Sequence, residues 1–140
     1  MSGLFDITNG AVSLDSKLTF LTGMTLQDVE LQGVKFVREI DMKTGWVFRT
    51  AGPYAISGQD AYLSLGFEND KLQRIAFSFA SEEGDDPRRL HEKHDRLLSR
   101  ELGRPSEKNE RNTIYRYPWG EITSEIDPRG GSCQILVRWA

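Results

Sequence analysis

Two histidines, a single cysteine and several grouped carboxylates are the side chains of this 140-residue chain with the types and spacing for chemistry. His91 and His94 stand three residues apart in a stretch with helical periodicity. That spacing turns two imidazoles to one side of a helix, where Glu92 or Asp95 would add an oxygen ligand to a metal. A third ligand at recognisable spacing is missing, and His94 falls within a leucine stripe, so the plainer reading is two histidines edging a core. No metal and no cofactor are expected. Cys133 shares strand parity with Ile135, Val137 and Trp139, which marks it as a small buried hydrophobe rather than a nucleophile, with no histidine near it in sequence. Glu121 and Glu125 share a strand face but stand about 13 Å apart, too far for a paired-carboxylate mechanism. No glycine-rich phosphate loop is found, because Arg129-Gly130-Gly131 lacks both the spacing and a following helix.

Other groups suit binding better than catalysis. Glu82, Glu83, Asp85 and Asp86 form a dense acidic run. Carboxylates before a helix are favoured by its macrodipole, and the same run would steer a basic protein partner at long range. Tyr115, Tyr117 and Trp119 belong to one hairpin whose two faces cannot both be core. Tyr117 and Trp119 are therefore candidate anchors for a partner, aromatic residues being frequent at interface centres. The plain alternative is packing of this hairpin under the loop after the long helix.

The element that positions most of these residues is a helix over about 86–102. Asp86 can cap it, Pro87 suits its first position, and Leu90, His94, Leu97, Leu98 and Leu102 form one apolar stripe. Gly103 and Pro105 end it. Thr25 and Asp28 form a capping box for a short helix over about 25–32, ended by Gly33. The rest reads as hairpins. Asn9-Gly10 predicts a type I′ turn with Ile7 opposite Val12 and Phe5 opposite Leu14. Strands through Val34–Ile40 and Trp46–Thr50 flank a turn at Lys43-Thr44-Gly45, and Ala51-Gly52-Pro53 should end the pair, leaving 54–59 as loop. A three-residue loop, Asn69-Asp70-Lys71, matches Leu65 with Ile75 and Leu63 with Phe77, in a pair expected at the centre of the sheet. The segment 106–112 reads as a polar, mobile connection. Strands over 113–117, 121–127 and 133–139 complete the chain. The expected fold is a single α+β domain over 1–140, a largely antiparallel sheet with the long helix on one face.

Composition limits the function class. With 38% hydrophobic and 28% charged residues the chain is globular, and its apolar runs are too short for a membrane span. The first residues lack a basic region and an apolar region, so no signal peptide is read and a cytoplasmic location is expected. A net charge of −3 argues against a nucleic-acid partner. One cysteine excludes an internal disulfide.

A capped helix ending Leu102-Gly103-Arg104-Pro105, then Trp119-Gly120-Glu121-Ile122, Asp127-Pro128-Arg129-Gly130-Gly131 and a closing strand resembles small cytoplasmic immunity proteins of bacterial toxin systems. The helix start Leu21-Thr22-Gly23-Met24-Thr25 followed by strands is similar to the helix-plus-sheet modules related to β-lactamase inhibitory protein, which are usually exported. Neither resemblance transfers individual functional residues. Together they imply a bacterial, non-enzymatic protein-binding module, an immunity protein that neutralises a cognate toxin, whose basic domain would be the partner. The alternative is a small-molecule-binding or hydrolytic domain with a pocket between sheet and helix, using His91 or His94 with Glu101 or Asp95.

Overall fold

Alternating apolar residues build the sheet. The computed structural model describes residues 3–15, 17–79, 86–127 and 132–140. Among these the strands are β1 (Val12–Ser13), β2 (Thr19–Phe20), β3 (Phe36–Asp41), β4 (Trp46–Ile56), β5 (Gln59–Glu68), β6 (Lys71–Phe77), β7 (Glu107–Lys108), β8 (Asn112–Tyr117), β9 (Gly120–Ile126) and β10 (Cys133–Trp139). The helices are α1 (Leu26–Glu30) and α2 (Pro87–Leu102). Eight strands form one antiparallel sheet in the order β3-β4-β5-β6-β10-β9-β8-β7, and β1 pairs with β2 apart from it. The fold is the expected α+β arrangement, with the β5–β6 pair near the sheet centre.

Side-chain alternation sends Leu63, Leu65, Phe67, Ile75, Phe77, Ile122, Cys133, Ile135, Val137 and Trp139 to one face, all buried. Helix α2 covers the β9–β10 part of that face with Leu90, His94, Leu97 and Leu98. Leu98 is wholly buried, a contribution of about 2 kcal/mol from desolvation alone. The caps are those the residues dictate. Asp86 accepts from the Arg88 N–H at 2.9 Å, and Thr25 and Asp28 exchange both bonds of a capping box. The Tyr115 hydroxyl donates to the Gly103 carbonyl at 2.8 Å, tying the end of α2 to β8.

Several local expectations change. The first hairpin pairs Phe5 with Val12, a slip of two residues that preserves the buried face and leaves Ile7 exposed in the loop. The cause is side-chain competition for backbone donors. Asp6 accepts from the Thr8 N–H and Asn9 from the Ala11 N–H, which widens the loop beyond two residues. Strand β4 runs on through Gly52-Pro53, whose bond is cis, with a register shift between Ala51 and Tyr54. Residues 54–59 are thus strand on either side of a two-residue turn at Ser57-Gly58, both with positive φ, as a type I′ turn requires.

The β5–β6 register is the expected one, Leu65 with Ile75 and Leu63 with Phe77. Its loop is shorter than expected. Asn69 and Asp70 make a two-residue turn with positive φ, and a bulge after Gly66 supplies the missing residue by leaving Gln73 without an opposite partner. Within 106–112, β7 pairs with β8, giving the sheet a short, blunt edge.

Candidate functional site

Helix α2 carries Asp86 at its start and His91, His94, Asp95 and Glu101 along its length, while Tyr117 and Trp119 belong to the β8–β9 hairpin. At its start, Asp86 is exposed beside a crevice of about 330 Å³ shared with Arg88, Glu110, Arg111, Ile126 and Asp127. Asp86, Glu110 and Asp127 stand here beside Arg88 and Arg111, so the crevice is of mixed charge. Glu82, Glu83 and Asp85 lie outside the described residues.

Tyr117 and Trp119 sit at the opposite end of the β8–β9 hairpin, about 20 Å away by strand rise from Ile126. Their rings stack with centroids 5.1 Å apart and 9° between planes. Both are half-buried. The Trp119 indole N–H donates to the Ile7 carbonyl at 2.8 Å, and Gly10 presses against the same ring. The Trp119 end of the hairpin therefore packs under the N-terminal loop, while Tyr115 and Arg116 bond to Gly103 and Ser106 in the segment after α2.

The two histidines point inward. His94 is wholly buried, accepts from the Phe79 N–H through Nε2 at 3.2 Å, and meets the Cys133 sulfur through Nδ1 at 3.4 Å. Burial, then the charges at His91 and Lys93, hold the His94 pKa down to about 4. Burial raises the Cys133 thiol to about 11, against a smaller opposing effect of its bond to Ser124, and Asp95 and Glu125 push it further up. Both groups are neutral at pH 7, so the pair is a buried hydrogen bond and not a thiolate–imidazolium couple. Sequence reading missed this neighbour because residues 94 and 133 meet only through packing.

His91 Nε2 lies 3.3 Å from the Thr113 hydroxyl and 3.6 Å from Asp95 Oδ1, while Lys108 reaches the other Asp95 oxygen at 3.4 Å. The histidines thus turn to different partners. Among the described residues no group of three or more His, Cys, Asp or Glu is placed to hold a metal. Glu101, the other proposed proton-transfer group, accepts from the Leu4 N–H at 2.6 Å. Glu121 and Glu125 are bridged by Arg138 at 3.4 and 2.9 Å on the sheet face away from α2.

The outer surface of α2 carries groups that sequence reading passed over. Arg88, Arg89, Arg96 and Arg100 are exposed, and Lys93 leans over the Phe79 ring at 5.9 Å. Among the described residues Arg89, Arg96 and Arg100 form no ion pair. The signal was present as cations at 89, 93, 96 and 100, the same periodicity that exposed the leucine stripe.

Across solved structures the chain resembles one chain of the complex described as Rhs1-CT with its cognate immunity protein RhsI1. The likeness has a TM-score of 0.59 at 16% identity and covers 96% of this chain and 85% of that one. The shared property is the fold. Neither a protein-family model nor a curated protein matches the sequence. No helix among the described residues is long and apolar enough to cross a membrane.

Proposed function

We propose that this chain is an immunity protein, a cytoplasmic, non-enzymatic module that neutralises a cognate toxin by binding it directly. The observation that carries the reading is the fold likeness along nearly the whole chain to a chain from the complex of Rhs1-CT with its cognate immunity protein. The arrangement around α2 supports it. The acidic residues at the helix start, Asp86 with Glu82, Glu83 and Asp85 of the preceding run, steer basic groups of the partner, and Tyr117 and Trp119 provide aromatic anchors. The crevice beside Asp86 and the aromatic pair are about 20 Å apart, a span that one standard interface of roughly 800 Å² per partner covers.

Of the groups named for the hydrolytic alternative, the geometry brings together His91 and Asp95, at 3.6 Å, and sets the other two apart. His94 is sealed in the core, and Glu101 is engaged by the backbone of Leu4.

Affinity capture of the tagged protein from its native cells, washed at low and high salt, tests the proposal. The expected result is a stoichiometric partner that is toxic when expressed alone and harmless when this chain is co-expressed. A partner without toxicity, or toxicity undiminished by co-expression, would reject it.

A further inference from the structure

The stripe of cations on α2 has a geometry of its own. Arg89, Lys93, Arg96 and Arg100 fall within about 60° around the helix and extend about 17 Å along it. Arg104, just beyond the helix, is also exposed. Four of these five groups are guanidinium, whose planar fork matches a carboxylate in two parallel hydrogen bonds.

Helix stability does not account for this choice of residues. Arg89–Lys93 and Arg96–Arg100 are like charges at i, i+4, and Lys93–Arg96 at i, i+3, all repulsive on a helix surface. Arg88 and Arg89 occupy the first turn, the positive end of the helix dipole, which contains no acidic residue. Arg89 and Lys93 work against the helix that carries them, while Arg100 sits in the last turn where the dipole favours a cation, and Arg89, Arg96 and Arg100 form no ion pair among the described residues.

We propose that the outward face of α2 is a docking surface for an acidic patch on a protein partner, with Arg89, Arg96 and Arg100 as its principal contacts and Lys93 and Arg104 beside them. The choice of a compact acidic protein surface over nucleic acid follows from the surroundings. A long polyanion laid along this stripe would meet Glu92 beside it and Asp86 and Glu110 at the helix start, whereas a compact carboxylate patch about 17 Å long pairs with the arginines and stops short of Asp86 and Glu110. In the immunity reading, on which the partner's identity rests, the partner presents basic groups to the beginning of α2 and carboxylates along its length.

The test needs no toxin. A fluorescent helical peptide with glutamates at i, i+4, i+7 and i+11 is titrated against the full chain, beside a glutamine version and a short DNA duplex. Saturable binding of the glutamate peptide alone is expected, weakening with salt and falling about tenfold or more in the triple variant Arg89→Glu, Arg96→Glu, Arg100→Glu. Absent binding at low salt, or equal affinity in the triple variant, overturns the proposal. Tighter binding of the duplex that the triple variant loses assigns the stripe to nucleic acid instead. A retained circular dichroism spectrum shows that the variant is folded, and a milder set with glutamine at the three positions serves if it is not. Failure of the peptide experiment leaves the immunity reading standing, and failed toxin capture leaves the stripe assignment standing.

Discussion

His94 Nδ1 lies 3.4 Å from the sulfur of Cys133 and joins the long helix to the last strand inside the core. Because Nε2 accepts the Phe79 N–H, the ring proton resides on Nδ1 and is directed at the sulfur. One neutral imidazole thus holds three elements together: the end of the β6 segment, α2 and β10. Protonation would place a second N–H against the Phe79 donor.

That arrangement sets a pH dependence. The folded pKa of His94 is depressed to about 4 from 6.5, so the unfolded chain binds the proton more readily. The associated stability is fully present above pH 6.5 and is lost as pH falls towards 4, a loss of roughly 3 kcal/mol. Urea midpoints measured across this range should fall more steeply for the native chain than for His94→Gln. Parallel curves would show that His94 does not titrate as described.

Cys133 should be nearly inert while the protein is folded. The thiol is buried and its pKa is pushed up to about 11, so thiolate is scarce at pH 8. Maleimide labelling at pH 8 should proceed only as fast as the chain opens and become rapid in denaturant. Fast labelling of the folded chain would contradict the burial of this strand.

Gly10 is irreplaceable for two reasons that act together. Its φ of 81° is left-handed, and a Cβ there would lie 2.6 Å from both Trp119 and Trp139 ring atoms. Gly10→Ala should cost about 1–3 kcal/mol through overpacking and backbone strain. Denaturant unfolding measures the loss directly. The Trp119 emission should shift as well, since the same loop covers that ring.

Reversing one charge at the start of α2 should stabilise the protein. Arg89→Glu places a carboxylate in the first helical turn and removes the repulsion with Lys93, a gain of about 0.3–1 kcal/mol at low salt. Thermal melts at low and high salt check this, the gain shrinking as salt rises. A lower melting temperature would mean that Arg89 has a stabilising partner, contrary to the free guanidinium seen here.

Local rules in the sequence reached far into the fold. Asp86-Pro87 and Gly103 bounded α2, Thr25 and Asp28 fixed the start of α1, and strand parity placed Cys133, Ile135, Val137 and Trp139 on the buried face. These signals are legible because a cap or an alternation is decided by residues within a few positions. Where two local interactions competed, the reading slipped. Asn9-Gly10 has the residues of a two-residue turn, yet Asp6 and Asn9 take backbone donors and lengthen the loop. Gly52-Pro53 looked like a strand end, but β5 continues to pair beyond it across a register shift.

The candidate surface divides in the same way. The sequence determined which residues α2 turns inward and which outward, because 3.6-residue periodicity is intrinsic to the helix. It therefore already contained both the leucine stripe and the stripe of Arg89, Lys93, Arg96 and Arg100. Only the tertiary structure decided that His94 would meet Cys133, that Arg138 would bridge Glu121 and Glu125, and that Trp119 would bond Ile7. Those pairs stand 39, 17, 13 and 112 residues apart along the chain, and nothing local selects such partners. Strand order and the seating of the helix brought them together.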